Sequence, residues 1–335
     1  MLDQVTALVN DVKAGKIAPV YLLMGEEPYY IDRIASFLDN TLLSEEEKSF
    51  NQVTLYGRDV TIEDIVSQAK RYPMMAERQV VIVKEAQELA RTIEKLSDYL
   101  ENPQQTTVLV ICYKYKKIDK RKAVYKAFAK AGVIYESKKL YDNQVGDWIR
   151  RLMSSKGYTV TPKAGHMLVE FLGTDLGKIN NELEKLEIVL PKGSTIDPEA
   201  VELHIGISKD FNNFELRKAI GERDSVKAHR IANYFANNPK DNPLVVTIAQ
   251  LFSFFSQLLQ YHGLPQKDKG TVAKTLGINP YFVREYVTAA QNYPMKRVSQ
   301  IISMIREVDV KGKGVGAGQM AQGDLLRELL VKMMT

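Results

Sequence analysis

The stretch PVYLLMGEEPYYIDRI runs from Pro19 to Ile34 and decides the reading of the chain. It has the form of a buried strand, one glycine and then a helix. Nucleotide-binding proteins place their phosphate loop at such a junction, with the pattern G-x-x-x-x-G-K-[ST]. Counted from Gly25, the glycine, lysine and hydroxyl positions hold Tyr30, Ile31 and Asp32. Glu26 and Glu27 stand where the phosphates would lie. Carboxylates at a helix start satisfy its dipole and free N–H groups themselves, and they repel a triphosphate. Pro28 removes one N–H and presets the first turn. The frame of an ATPase is present without its phosphate chemistry.

Outward from this junction, the first 140 residues alternate strands and helices. Apolar runs rich in β-branched and aromatic residues occur at 19–24, 52–56, 79–83, 106–113 and 132–135. Amphipathic segments lie between them, at about 28–40, 61–72, 88–101 and 120–130. Short, continuously apolar strands interleaved with helices predict a parallel sheet covered on both faces, a doubly wound α/β domain. After Tyr141 the strand signal stops. Helical periodicity fills 142–155, 162–172 and 174–190, with Thr161-Pro162 as a capping hydroxyl before a first-turn proline. From Phe211 the chain is helical again. The expected domains are 1–140 (α/β), 141–208 (small and helical) and 209–335 (all-α). The run from Leu244 to Tyr261 is apolar nearly all round and predicts a helix buried on most of its surface. The glycine-rich piece KGKGVGAGQ at 311–319 reads as a mobile loop.

Composition limits the function classes. The chain has 335 residues, 45% hydrophobic and 26% charged, enough for two or three packed domains. A net charge of +5 is too small to argue nucleic-acid binding by itself. The one cysteine, Cys112, lies in the apolar run VLVICY and reads as a core residue. It leaves no disulfide framework or thiolate metal site and points to a reducing compartment. No apolar run reads as a signal peptide or membrane span, so a cytoplasmic protein is expected. The histidines, His166, His204, His229 and His262, have no mutual metal-ligand spacing. NELEK at 181–185 reads as a solvated helix with ion pairs at i, i+3 and i, i+4.

A second test of ATPase chemistry concerns the strand QVVIV. ATPases of this architecture end a central strand with acidic residues that hold magnesium. Here Lys84 takes that place, followed by Glu85. Two losses argue against an active phosphate-loop ATPase. They leave two other readings, a plain strand-to-helix turn in an unrelated α/β protein and a stand-alone DNA-binding protein.

Several elements then occur in a fixed order: YLLMGEEPYYIDR, QAKRYPMMAERQVVIVKEA, IDKRKAVYKAFAKAG, DLGKINNELEKL, FELRKAI and, near the end, REVDVKGKG. As an ordered set they resemble the delta subunits of the bacterial DNA polymerase III clamp loader, over nearly the whole chain. The resemblance implies an AAA+-like (RecA-like) domain that does not hydrolyse ATP, with no cofactor or metal, a small helical lid and a helical collar. It implies a non-catalytic subunit of the DNA polymerase (nucleotidyltransferase) holoenzyme that binds and opens the ring-shaped sliding clamp for loading onto primed DNA. The partners would be the clamp and, through the collar, the gamma/tau and delta-prime subunits, with no membrane involved. Related loader subunits carry zinc-binding cysteines, which this chain lacks.

The resemblance also assigns the grip. In the family a pair of large apolar residues plugs a hydrophobic pocket on the clamp. The matching segment is Pro73, Met74, Met75 and Ala76, with Gln68, Lys70 and Arg71 as its polar rim. Met-Met stands where relatives often have Leu-Phe, which keeps apolar bulk and loses a ring. The helix before it starts at a capping box of Thr61 and Asp64, and should run to about Tyr72, where Pro73 ends it. Packing of both methionines beneath that helix is the alternative. The run YKYKKIDKRK at 113–122 interleaves Lys114, Lys116, Lys117, Lys120, Arg121 and Lys122 with aromatic residues, a pattern suited to DNA and equally to a solvated strand end.

Overall fold

The computed structural model describes residues 2–315 and 320–335, with Leu2 and Asp142 described by backbone alone. The chain divides into two compact units, Met1–Leu140 and Tyr141–Thr335. Residues 316–319 of the glycine-rich piece lie outside the described residues.

The first unit is built on β1 (Val20–Gly25), β2 (Gln52–Tyr56), β3 (Gln79–Lys84), β4 (Thr107–Lys114) and β5 (Val133–Ser137). They form one all-parallel sheet in the order β2-β3-β4-β1-β5. The three inner strands are the continuously apolar ones, and they are buried along their length. The edge strands β2 and β5 are only partly covered. This distribution follows from helices lying on both faces. The helices are α1 (Leu2–Lys13), α2 (Pro28–Thr41), α3 (Glu45–Asn51), α4 (Ile62–Ala69), α5 (Ser97–Glu101) and α6 (Ala123–Ala131). One core joins Val20, Leu22 and Met24 of β1 to Ile62 and Ile65 of α4 and Phe128 of α6. Alternate residues of the strands point to the opposite face, where α2 packs with Ile31, Ile34 and Leu38 buried.

Two helices differ from expectation. Helix α4 opens at the predicted capping box but ends at Ala69, three residues early. Its last carbonyls are taken by side chains from elsewhere in the unit. Gln79 Nε2 donates to the carbonyls of Gln68 (3.1 Å) and Arg71 (2.5 Å), and Thr107 Oγ1 donates to that of Ala69 (2.8 Å). The segment 88–101 is not one helix. It comprises 3₁₀ turns at Ala86–Leu89 and Ile93–Leu96, followed by α5. Leu89, Ile93, Leu96, Tyr99 and Leu100 of this segment are buried.

The second unit contains α7 (Asp142–Ser155), α8 (Pro162–Leu172), α9 (Leu176–Val189), α10 (Pro198–Ile205), α11 (Asn213–Gly221), α12 (Ser225–Asn237), α13 (Leu244–Gly263), α14 (Lys269–Leu276), α15 (Val283–Asn292), α16 (Met295–Gly312) and α17 (Gln322–Met334). Strands do not stop at Tyr141. A short parallel pair, β6 (Thr159–Val160) with β7 (Thr195–Ile196), ties the start of α8 to the start of α10. Runs of two residues carry no detectable periodicity. Helix α13 buries one face, from Leu244 through Leu251, Phe255 and Leu258 to Tyr261, while Val245, Val246 and Phe252 are exposed. By length and composition it is the one helix among the described residues long and apolar enough to span a membrane, and its buried face belongs to the core of the bundle.

A polar cluster lies inside this unit. The His166 ring sits 5.0 Å from the rings of both Phe214 and Phe282, and Arg217 donates to its Nε2 at 3.2 Å. One turn on, the Glu170 carboxylate is buried 3.8 Å from the same nitrogen, and neither of its oxygens has a hydrogen-bond partner among the described groups. A cavity of about 300 Å³ adjoins them. Burial pushes Glu170 up to about 7 against the opposing charge of Arg217. Burial, and then Arg217, pushes His166 down to about 3.

The two groups make opposite contributions to stability. Between pH 4.5 and 7 the folded chain holds the Glu170 proton more tightly than the unfolded chain, so stability falls as pH rises. Between pH 3 and 6.5 the unfolded chain holds the His166 proton more tightly, so stability rises. Glu170→Gln should therefore match the parent chain in urea unfolding at pH 4 and exceed it at pH 8 by on the order of 1–3 kcal/mol. A gain of the same size at both pH values would mean that the carboxylate is not held protonated.

Candidate functional site

At the end of β1 the backbone amides have nowhere free to point. Gly25 N–H donates to the Lys116 carbonyl (3.1 Å) and Glu26 N–H to the Ser137 carbonyl (3.3 Å). Glu27 N–H donates to Ser137 Oγ (3.3 Å), Pro28 has no N–H, and Tyr29 N–H donates to Glu27 Oε1 (3.0 Å). Every amide from Gly25 to Tyr29 that a phosphate loop would aim at its ligand is thus held by a protein acceptor. Gly25 has φ of 134°, and a Cβ there would lie 2.1 Å from the Ser137 carbonyl oxygen, so the strands close at a spacing only glycine allows. Tyr30 and Ile31, at the glycine and lysine positions of the pattern, are buried, and the Tyr30 ring meets Tyr29 (5.2 Å) and Tyr135 (6.5 Å) edge-on. Asp32, at the hydroxyl position, pairs with Lys114 at 2.6 Å.

The second ATPase landmark is likewise engaged. Lys84 ends β3, and its carbonyl accepts from Gly57 N–H at 2.8 Å. Glu85 has a left-handed backbone, φ 55°, and its Oε2 accepts two bonds from Arg58, at 2.9 and 2.5 Å. Cys112 is buried in β4, and burial raises its thiol to about 12.

The basic run 113–122 is largely neutralised where it stands. Besides the Lys114–Asp32 pair, Lys117 meets Glu136 (3.2 Å) and Glu26 (3.4 Å), and Lys120 meets Glu136 (3.0 Å). Arg121 meets Asp119 and Lys122 meets Glu94, each at 2.6 Å. Its hydrogen bonds to Arg121 bring Asp119 down to about 2, and those to Lys120, despite partial burial, hold Glu136 below the usual carboxylate range. Among the described residues, Lys116 alone of the six cations has no carboxylate partner.

The segment after α4 has a different character. Met74 is 59% exposed and Met75 fully exposed, so neither packs beneath the helix. Tyr72 beside them is exposed as well, while Pro73 and Ala76 are half-buried. Of the rim residues, Lys70 and Arg71 are exposed, and Gln68 accepts from Arg71 at 3.0 Å. Met75 has φ of 53°. The loop is nevertheless tied down. The buried side chain of Asn51, the last residue of α3, accepts from Met74 N–H at 2.6 Å and donates to the Met74 carbonyl at 2.9 Å. Sequence reasoning did not find Asn51. Its only signal was a polar residue flanked by an exposed aromatic, Phe50, and a strand start.

These features define an AAA+-like α/β domain whose phosphate-loop amides are engaged by its own chain, carried with a separate helical unit. The family model described as "DNA polymerase III, delta subunit" matches residues 21–138, and that of its C-terminal domain matches 210–333. The chain belongs to the DNA polymerase III delta subunit family. It is 26% identical over 316 residues to DNA polymerase III subunit delta of Bacillus subtilis (strain 168), covering 91% of this chain and 90% of that protein. The solved structure of the Bacillus subtilis DNA clamp loader delta protein (YqeN) superposes with a TM-score of 0.56 at 23% identity, covering 98% of this chain and 99% of that one.

The closure at Gly25 is directly testable. Gly25→Ala forces a Cβ into the Ser137 backbone at an unfavourable φ, and should cost at least about 2 kcal/mol in urea unfolding. Ser137→Ala removes only the hydroxyl and should cost less, about 1 kcal/mol.

Proposed function

We propose that this chain is a non-catalytic clamp-loader subunit that binds the ring-shaped sliding clamp and opens one of its interfaces. The observation that carries this reading is the Met74–Met75 pair, exposed on a loop anchored to a rigid sheet domain in a member of the delta family. Two unbranched thioether side chains adapt to the shape of a partner's pocket. Burying one of them against a partner is worth roughly 1.5–3 kcal/mol, enough to anchor a modest interface. Pro73 and Ala76 frame the pair, with Gln68, Lys70 and Arg71 as the polar rim.

The work done on the clamp is mechanical. A ligand shifts a two-state equilibrium only by its differential affinity for the two states. The subunit therefore favours the open ring by binding it more tightly than the closed one. The engaged amides at Gly25 to Tyr29 and Lys84 at the end of β3 support a subunit that hydrolyses no ATP, the nucleotide being used by its neighbours. We assign residues 141–208 to a lid and 209–335 to a collar that joins the gamma/tau and delta-prime subunits. The assembled loader would enclose primed DNA in the cytoplasm. The ion pairs along 113–122 leave Lys116 as the most available cation there for phosphate contact.

The test is binding of the purified chain to the sliding clamp of the same organism, without nucleotide. The expected result is nucleotide-independent binding that Met74→Ala/Met75→Ala weakens at least about 30-fold, the equivalent of one buried side chain. Unchanged binding in the double variant would move the grip elsewhere. Measurable ATP affinity with no clamp binding would overturn the reading.

A further inference from the structure

We infer that Asn51 is a positioning residue for the clamp-gripping loop, holding Met74 and Met75 in the bound conformation before the clamp arrives. The inference rests on the reading of 73–76 as the grip and goes beyond it, because Asn51 lies on a different element and does not itself reach the surface.

The argument starts from what keeps the loop ordered. A loop is ordinarily fixed by burying its own side chains, which offsets the entropy of ordering it. Here the side chains of Tyr72, Met74 and Met75 are outside, so burial contributes little. Met75 is also in the left-handed region, φ 53°, which a residue other than glycine adopts at a cost. Order must come from polar contacts, and Asn51 supplies them. The residue is 4% exposed, and two of its side-chain hydrogen bonds go to Met74. Oδ1 takes the Met74 amide, and Nδ2 gives one proton to the Met74 carbonyl and the other to the Glu47 carbonyl at 3.0 Å. Both backbone groups of Met74 are thereby held by one amide, which is itself held by helix α3.

That helix is well founded. Ser44 and Glu47 form a reciprocal capping box at its start. Gln52, the next residue after Asn51, donates to Asp39 of α2 at 2.6 Å. Asn51 therefore transmits the rigidity of α2, α3 and the sheet to a loop that has none of its own. Gln79, at the start of β3, takes the Arg71 carbonyl and so ties together the two ends of the loop that carries the exposed pair. A pair presented in this way loses less conformational freedom on docking than a loose one, and preorganisation of this kind is realised as affinity.

The experiment is a double-mutant cycle on the full-length chain, with the sliding clamp as probe. The proteins are the parent, Asn51→Ala, Met74→Ala/Met75→Ala and the combined variant, measured at a temperature where unfolding curves show each to be fully folded. Under that condition a merely structural loss at Asn51 lowers the melting temperature without changing the affinity. The expected result is about tenfold weaker binding for Asn51→Ala, faster hydrogen exchange at the Met74 amide, and no further loss when Asn51→Ala is added to the methionine variant. If the methionine variant loses binding and Asn51→Ala does not, the positioning role is wrong and the grip at 73–76 stands. Additive losses likewise overturn it, because Asn51 would then act elsewhere. If the methionine variant binds normally, the grip reading fails and this inference fails with it.

Discussion

The rest of the α/β unit depends on the close approach of β5 to the end of β1. A parallel sheet leaves the amides that follow each strand without ladder partners, and in a nucleotide-binding protein those amides wait for phosphate. Here Ser137, at the end of β5, supplies both its carbonyl and its hydroxyl, and the Lys116 carbonyl crosses over from the loop after β4. Gly25 is what permits it, since any Cβ would stand inside the Ser137 backbone. The contact converts an anion-binding turn into a structural joint. The last residue of β4, just before that loop, is Lys114, which meets Asp32, so an ion pair occupies the position of the magnesium-binding hydroxyl.

A sheet closed in this way is a rigid mount, and the proposed function, exerting force on a partner ring, calls for elements that do not yield. The inner strands are buried over nearly all of their length, and helix α3, which holds the methionine loop, is fastened by its own capping box and by the Gln52–Asp39 bond beside it. The loop departs from the local rules, with exposed methionines and a left-handed backbone at Met75. Departures that the surrounding structure maintains concentrate at functional positions. The helical unit holds a second departure, the unpaired Glu170 beside a neutral His166, whose burial ties stability to pH.

Charge tells a similar story of local pairing. Read along the chain, 113–122 is a block of cations that suggests nucleic acid. In space, Asp32, Glu26, Glu136, Asp119 and Glu94 come to meet them. Such exposed pairs add little stability each. Their effect is on the outward field, which they reduce to little more than Lys116.

By itself the sequence determined the α/β class, the strand positions, the helix starts at Thr61 and Thr161-Pro162, and the loss of the phosphate-loop side chains. These are local properties, carried by hydrophobic period, capping chemistry and residue identity within a few positions. Tertiary structure decided the rest. Helix α4 stops at Ala69 because Gln79, Thr107 and Tyr99 take its carbonyls, and none of the three lies within the helix's own sequence. The segment 88–101 breaks into 3₁₀ turns and a short helix even though its buried residues Leu89, Ile93, Leu96 and Leu100 keep helical spacing. The fate of the amides after Gly25 rested on Ser137, more than a hundred residues away, and the order of the methionine loop on Asn51. Contacts of that range depend on how the strands are ordered in the sheet, and no short-range pattern in a single chain encodes that order.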